Sequence, residues 1–380
     1  QSREALARQL GTTVLLMPPE RAELAALYAV AASQMGTGWD VRGSLGNLMA
    51  RAPQLRALVP GKMMPIQLAH APVGGVLAGL EAAGSLNLWD LRTRARIART
   101  KVRSGHEAVV FDASRGQFVT ADRGETVSFH EPASGQVRSL SLGTGPWQRV
   151  AVSGDGARLA TADAFGRVGV WDASSGAKLA LREQAQWRED RRIEALALGR
   201  NGETLALATA AGEVRVWRWP DGDFAPAEAP PAGPGADRGP PAGLRFADDG
   251  ALVGLLGDGR VLRWGLSGTG GPEAARQLAD LGLSEEAQAM SGQTTRFLGL
   301  GLAADGASAA AVLCLDACTR EALVRWDGAS GQVEAVAIEL PDRDMEARRF
   351  DLQVTPEVAI GAGARVAARV DSGAVVDARS

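Results

Sequence analysis

Between residues 165 and 181 the chain reads FGRVGVWDASSGAKLAL. Polar and apolar positions alternate up to Trp171, Asp172 breaks the run, and a second apolar run begins after Ser174-Ser175-Gly176. Period-two alternation interrupted by small turn-forming residues predicts two strands joined by a tight turn. The pattern returns along the chain: SLNLWD at 85–90, TVSFHE at 126–131, EVRVWR at 213–218, RVLRWG at 260–265 and ALVRWD at 322–327. Its aromatic position is held by Trp89, His130, Trp171, Trp217, Trp264 and Trp326, at spacings of 41, 41, 46, 47 and 62 residues. Recurrence at this period marks a repeat architecture.

Each unit contains three further apolar runs. A run closed by a glycine turn comes first, as in RVAVSGDG (149–156) and ALALGRNG (195–202). A second precedes the aromatic strand, as in LATADAFG (159–166) and LVGLLGDG (252–259), and a last one follows it, as in SGAKLALRE (175–183). Four short strands per unit with glycine or aspartate turns predict the blades of an all-β propeller. The pattern resembles the WD-repeat β-propeller family, whose blades close on a tryptophan-aspartate pair. Asp90, Asp172 and Asp327 keep that aspartate, while Glu131, Arg218 and Gly265 depart from it. The family's Gly-His pair occurs at Gly105-His106, with Gly61-Lys62 in the equivalent place before the first blade. The resemblance implies that Asp122 bonds that histidine from a turn, with Asp163 and Asp258 as its counterparts.

A seventh unit is expected from RFDLQVTPE (349–357), RVAARVDSG (365–373) and AVVDARS (374–380), which supply three strands. An exposed strand edge is a liability, and the run 55–59 is expected to close the ring as the fourth strand. The domain reading is therefore a helical connector over 1–53 and a seven-bladed propeller over 54–380. The stretch between Trp219 and Gly243 is rich in proline and glycine and predicts a surface loop without strands. Residues 273–292 have helical spacing and predict a short helix between blades five and six.

Before the propeller the period is helical. Leu6, Leu10 and Val14 are expected to share one face, Leu24, Leu27, Ala31 and Met35 another, with a second helix starting at Pro18-Pro19 and a third over 41–49. Residues 2–61 resemble the junction of bacterial multidomain signalling proteins, including the STAND class of regulated NTPases, where such helices join a propeller to an upstream effector. This implies a sensor propeller, continuing upstream of Gln1 into an effector or NTPase region of the same polypeptide; the alternative is a helical cap on a free-standing scaffold.

Composition narrows the chemistry. The 380 residues are 46% hydrophobic with a net charge of −3, which supports a full core and argues against an electrostatically driven nucleic-acid binder. No apolar run reaches the length of a membrane helix. Cys314 and Cys318 read as thiols of a cytoplasmic protein, with a local disulfide as the alternative. The three histidines, His70, His106 and His130, follow no catalytic pattern, and the GxSxG, HExxH and GxxxxGK[ST] motifs are absent. No enzyme activity, cofactor or metal is expected. What remains is a binding surface at the channel mouth, where several first strands open on arginine or an aromatic: Trp147, Arg149, Arg191, Arg192, Arg296, Phe297, Arg348 and Arg349. Arginine and tryptophan are enriched at binding hot spots, so these residues are candidates for a cationic, partly aromatic rim receiving an acidic protein or peptide ligand. Trp187 and Trp219 are further aromatic candidates on connecting segments.

Overall fold

The computed structural model describes residues 2–16, 28, 65–71, 75–81, 84–93, 95–102, 108–122, 124–143, 145–183, 192–220, 223–229, 243–266, 272–281, 296–303, 306–315, 320–338, 358–361, 365–369 and 375–378. They form helix α1 (Ser2–Leu16) and an all-β propeller of meandering antiparallel sheets.

Blade 1 is β1 (Pro65–Ala71), β2 (Val76–Glu81), β3 (Ser85–Asp90) and β4 (Ala95–Lys101). Blade 2 is β5 (Ala108–Asp112), β6 (Gln117–Ala121), β7 (Thr126–His130) and β8 (Val137–Ser141). Blade 3 is β9 (Trp147–Val152), β10 (Arg158–Asp163), β11 (Arg167–Asp172) and β12 (Lys178–Glu183). Blade 4 is β13 (Ile193–Leu198), β14 (Thr204–Thr209), β15 (Val214–Arg218) and β16 (Ala225–Ala227). Blade 5 is β17 (Gly243–Phe246), β18 (Leu252–Leu255), β19 (Arg260–Trp264) and β20 (Arg276–Asp280). Blade 6 is β21 (Arg296–Leu302), β22 (Ser308–Leu315), β23 (Arg320–Asp327) and β24 (Val333–Ile338). A further, three-stranded sheet holds β25 (Val358–Gly361), β26 (Arg365–Arg369) and β27 (Val375–Ala378). The first strands of successive sheets neighbour one another from β1 to β21, and β25 neighbours both β21 and β1.

The hairpins explain the recurrent aspartate. Asp172 Oδ1 accepts the backbone N–H groups of Ser174 (3.0 Å) and Ser175 (2.8 Å) together with both serine hydroxyls. Gly176 then takes a φ of 75° that side chains rarely adopt, while its N–H reaches Asp172 O at 2.9 Å. Asp90 and Asp327 close their turns in the same way.

Alternation along each strand gives every blade two unlike faces. One is built on the tryptophan and bulky aliphatics, the other on alanine and valine. Leu196, Leu198, Leu205, Leu207 and Trp217 of blade 4 pack against Ala151, Ala160, Ala162, Val168 and Val170 of blade 3. Leu244, Leu252, Leu262 and Trp264 of blade 5 meet Ala195, Ala197, Ala206 and Ala208 of blade 4 in the same sense. Blade 2 carries His130 where its siblings have tryptophan, and the facing side of blade 1 is correspondingly larger, with Leu80, Leu86 and Leu88 at the register positions of Ala162, Val168 and Val170.

Three expectations are corrected. The proline-rich stretch after Trp219 is not wholly loop: Ala225–Ala227 pairs with β15 as the outer strand of blade 4, and Pro226 is tolerated there because an outermost strand has an edge with no ladder bonds to donate. Within 273–292, residues 276–280 form β20 rather than helix; pairing with β19 overrides the helical spacing. On α1 the buried positions are Ala7, Gly11 and Val14; of the expected face only Val14 is buried, with Leu10 half-buried and Leu6 exposed. The expected second and third helices and the closing strand 55–59 lie outside the described residues, apart from Tyr28, which is helical.

Candidate functional site

The starts of the innermost strands and the turns between second and third strands share one end of the propeller, because consecutive strands are antiparallel. At this mouth Arg149, at the start of β9, reaches across to blade 4. Its Nε donates to Glu194 O at 2.8 Å and its Nη2 lies 2.7 Å from Glu194 Oε2. Arg192 approaches the other carboxylate oxygen, Nε to Oε1 at 2.8 Å. Glu194 is thus held between two arginines on the inner ring. The link from blade 1 to blade 2 is made at the same level, where Gln67 Oε1 accepts the N–H of Val109.

The neighbouring turns carry their own ion pairs. Asp163 closes its turn by accepting the N–H groups of Phe165 (2.9 Å) and Arg167 (2.8 Å), and its other oxygen holds the Arg167 guanidinium. Arg167 also donates to Gly145 O at 3.0 Å, fixing the loop that enters β9. Asp258 and Arg260 pair at 2.8 Å, and Glu213 and Arg215 at 2.9 Å. Asp122 accepts the N–H groups of Gly124 and Thr126, both at 3.0 Å. The aspartates that the sequence places in these turns do occupy them; His106 and Gly105 lie outside the described residues.

Of the expected rim residues, Trp147 is not at the surface. It is wholly buried and packs edge-on against Trp171 at 5.6 Å between ring centroids. A register shift opposite Ala162 and Asp163 turns it onto the face of Val150 and into the interface with blade 2. Arg296 and Phe297 open β21, opposite Cys314 and Leu313. Arg191, Arg348, Arg349, Trp187 and Cys318 lie outside the described residues. Trp219 packs against the blade 3–blade 4 core under Arg158, whose guanidinium stands 4.6 Å from the ring centroid.

The expected list missed Arg245. It lies on β17, the inner strand of blade 5, and its Nη1 donates to the neighbouring Leu244 O at 2.8 Å. Among the described residues it has no carboxylate partner, and burial pulls its guanidinium pKa down. Its side chain is half-buried, and a charge partly withdrawn from water without a counterion is a place where an anionic group is favoured. The signal was available: arginine stands at 245 in LRFADDG where sibling inner strands have alanine, valine or glycine.

The repeated aromatic position is structural. Trp171 Nε1 donates to Thr161 Oγ1 at 2.8 Å, His130 Nε2 and Thr120 Oγ1 are 2.9 Å apart, and Trp264 Nε1 donates to Glu228 O at 2.9 Å. Among the described residues no group of three or more His, Cys, Asp or Glu side chains is arranged to hold a metal, and no helix is long and apolar enough to cross a membrane.

No known protein family matches the sequence, and no curated protein matches it either. Solved structures do. The β-propeller domain of Cps50 (Swd1) from Myceliophteria thermophila superposes with a TM-score of 0.63 at 13% identity, over 85% of this chain and 98% of that one. The WD40 repeats of RRP9 give 0.58 at 15% identity, over 84% and 91%. The structure of U3-55K gives 0.59 at 14% identity, over 84% and 92%. The chain therefore has the WD40 β-propeller fold.

Proposed function

We propose that this propeller is a non-catalytic protein-interaction module that captures an acidic segment of a partner at its channel mouth. The observation that carries the reading is Arg245, a half-buried cation on the inner strand of blade 5 without a carboxylate partner among the described residues, in a ring whose neighbouring arginines are ion-paired. A rigid ring suits such a task because little ordering entropy is lost when loops on a fixed scaffold bind. The full ring is read as seven-bladed, with strand 55–59 completing the three-stranded sheet, and the protein as cytoplasmic. RRP9 and the Swd1 propeller share only the fold with this chain.

A second reading builds on the first. Helix α1 buries Ala7, Gly11 and Val14 on one stripe, and the resemblance of the sequence over residues 2–61 to signalling junctions supports a sensor propeller that relays ligand occupancy to an upstream effector of a bacterial signalling or defence protein.

The test is titration of the full chain with a labelled hexaglutamate peptide. Saturable binding that weakens about tenfold or more in Arg245→Gln supports the reading. Binding unaffected by that substitution, or none at all, overturns it.

A further inference from the structure

The outer edge of blade 1 differs from the other outer edges. Residues 91–103, LRTRARIARTKVR, hold six basic residues and no acidic one, on a chain whose net charge is −3. Arg96, Ile97, Arg99 and Lys101 of β4 are all exposed, Ile97 to 45%. Among the described residues β4 is the outermost strand of its sheet, bonded on one side only.

The register brings these cations into line. Arg96 pairs with Trp89, Arg99 with Asn87 and Lys101 with Ser85, while a register shift leaves Ile97 between Arg96 and Ala98 as the extra residue. Without that shift Arg96 would point to the opposite face from Arg99 and Lys101. With it, all three share the face of Trp89, and Ala98 lies on the other side, against the blade 1–blade 2 core. Arg99 is partly engaged by Glu81 at 3.5 Å and Ser85 Oγ at 3.2 Å. Arg96 and Lys101 have no such partner among the described residues.

Guarding an edge against aggregation needs a charge or two, and the sibling strands manage with fewer. On the corresponding face β12 carries Lys178, Leu181 and Glu183, β8 carries Val137, Ser139 and Ser141, and β20 carries Gln277 and Asp280. A row of three cations beside a backbone edge unpaired among the described residues exceeds that need.

We propose that β4 is a docking edge for an acidic, extended peptide segment of a partner protein, which adds to blade 1 as a fifth strand. The backbone edge supplies the hydrogen bonds, the cation row selects carboxylates on alternate residues of the incoming strand, and Ile97 offers an apolar contact. A strand is favoured over a nucleic acid because the cations sit at strand spacing beside free backbone donors and acceptors. This surface is on the outer rim, away from the channel mouth, and does not depend on Arg245.

The test uses the full chain and a fluorescent ten-residue peptide alternating glutamate with valine. The expected result is saturable binding that falls as salt rises and weakens about tenfold or more in the double variant Arg96→Glu/Lys101→Glu. Arg245→Gln leaves it unchanged, which separates this proposal from the channel reading. The double variant Arg96→Gln/Lys101→Gln, checked for an unaltered circular dichroism spectrum, should give an intermediate loss. N-methylation of alternate peptide amides should abolish binding, since strand addition needs those N–H groups. The proposal is overturned by absence of binding, by binding indifferent to both double variants, or by equal binding of the N-methylated peptide. It is also overturned if oligouridylate or phosphatidylserine vesicles bind more tightly than the peptide through Arg96 and Lys101.

Discussion

Thr161 accepts a 2.8 Å hydrogen bond from the buried indole of Trp171, and the same register position under Trp89 in blade 1 is Gly79. One position therefore serves the aromatic strand by two mechanisms. In blades 2 and 3 a threonine satisfies the ring nitrogen. In blades 1 and 5 a glycine lets the indole lie against the strand backbone: a methyl at Gly79 would meet Trp89 Cζ3 at 2.7 Å, and one at Gly254 would meet Trp264 Cζ3 at 3.0 Å.

Thr161→Val keeps the shape of the side chain and removes the acceptor. The indole N–H of Trp171 would be left buried and unpaired, a loss of about 1–3 kcal/mol, read as a lower denaturant midpoint in urea unfolding.

Gly79→Ala should cost about 1–3 kcal/mol by overpacking against Trp89. Gly250→Ala, where φ is 83° and nothing lies within 4 Å, tests backbone strain alone and should cost about 1–2 kcal/mol. Thermal melts of the two variants, with a crystal structure of Gly79→Ala, separate side-chain crowding from strain.

Arg149 and Glu194 join blades 3 and 4 through one ion pair and one bond to backbone. A double-mutant cycle with Arg149→Ala and Glu194→Ala should show a coupling of about 1 kcal/mol, the upper end for a partly exposed pair. Raising salt to 1 M should shrink it.

The serine hydroxyl of Ser174, the backbone N–H of Ser175 and its hydroxyl hold the Asp172 carboxyl well below the usual carboxylate range, and the N–H of Thr93 lowers that of Asp90. Because the folded pKa is depressed, these groups stabilise the fold fully above the unfolded value of about 4 and lose that contribution as pH falls toward the folded value. Asp172→Asn should melt at a lower temperature than wild type at pH 7, and the gap should narrow between about pH 4 and pH 2.

Much of the fold was legible because the repeat states the same hairpin six times, and errors in one copy are corrected by the others. Asp172, Gly176 and Trp171 identify their turn and strand from local chemistry alone. What misled was local in another way: Arg276–Asp280 looks helical by spacing, and Ala225–Ala227 looks like loop by composition, yet each has a waiting partner strand whose edge outweighs those preferences. The site was read less well. Trp147 looked like a rim residue because it opens a strand, but the register shift that buries it depends on the neighbouring strand and leaves no mark in the sequence. Arg245 was legible as an exception, though only once the inner strands were aligned.

The unlike faces of each blade have a consequence for assembly. The interfaces of blade 4 with blades 3 and 5 are head to tail, one blade's alanine side a mould for the next blade's tryptophan side, and a contact of that kind has no internal instruction to stop. Growth ends only where β25 comes to lie beside β1, which makes the number of units a matter of curvature rather than of any one sequence. A chain carrying a duplicated copy of residues 145–183 would then face a choice between an enlarged ring and an extruded spare blade, and crystallography would show which of the two the angle between sheets permits.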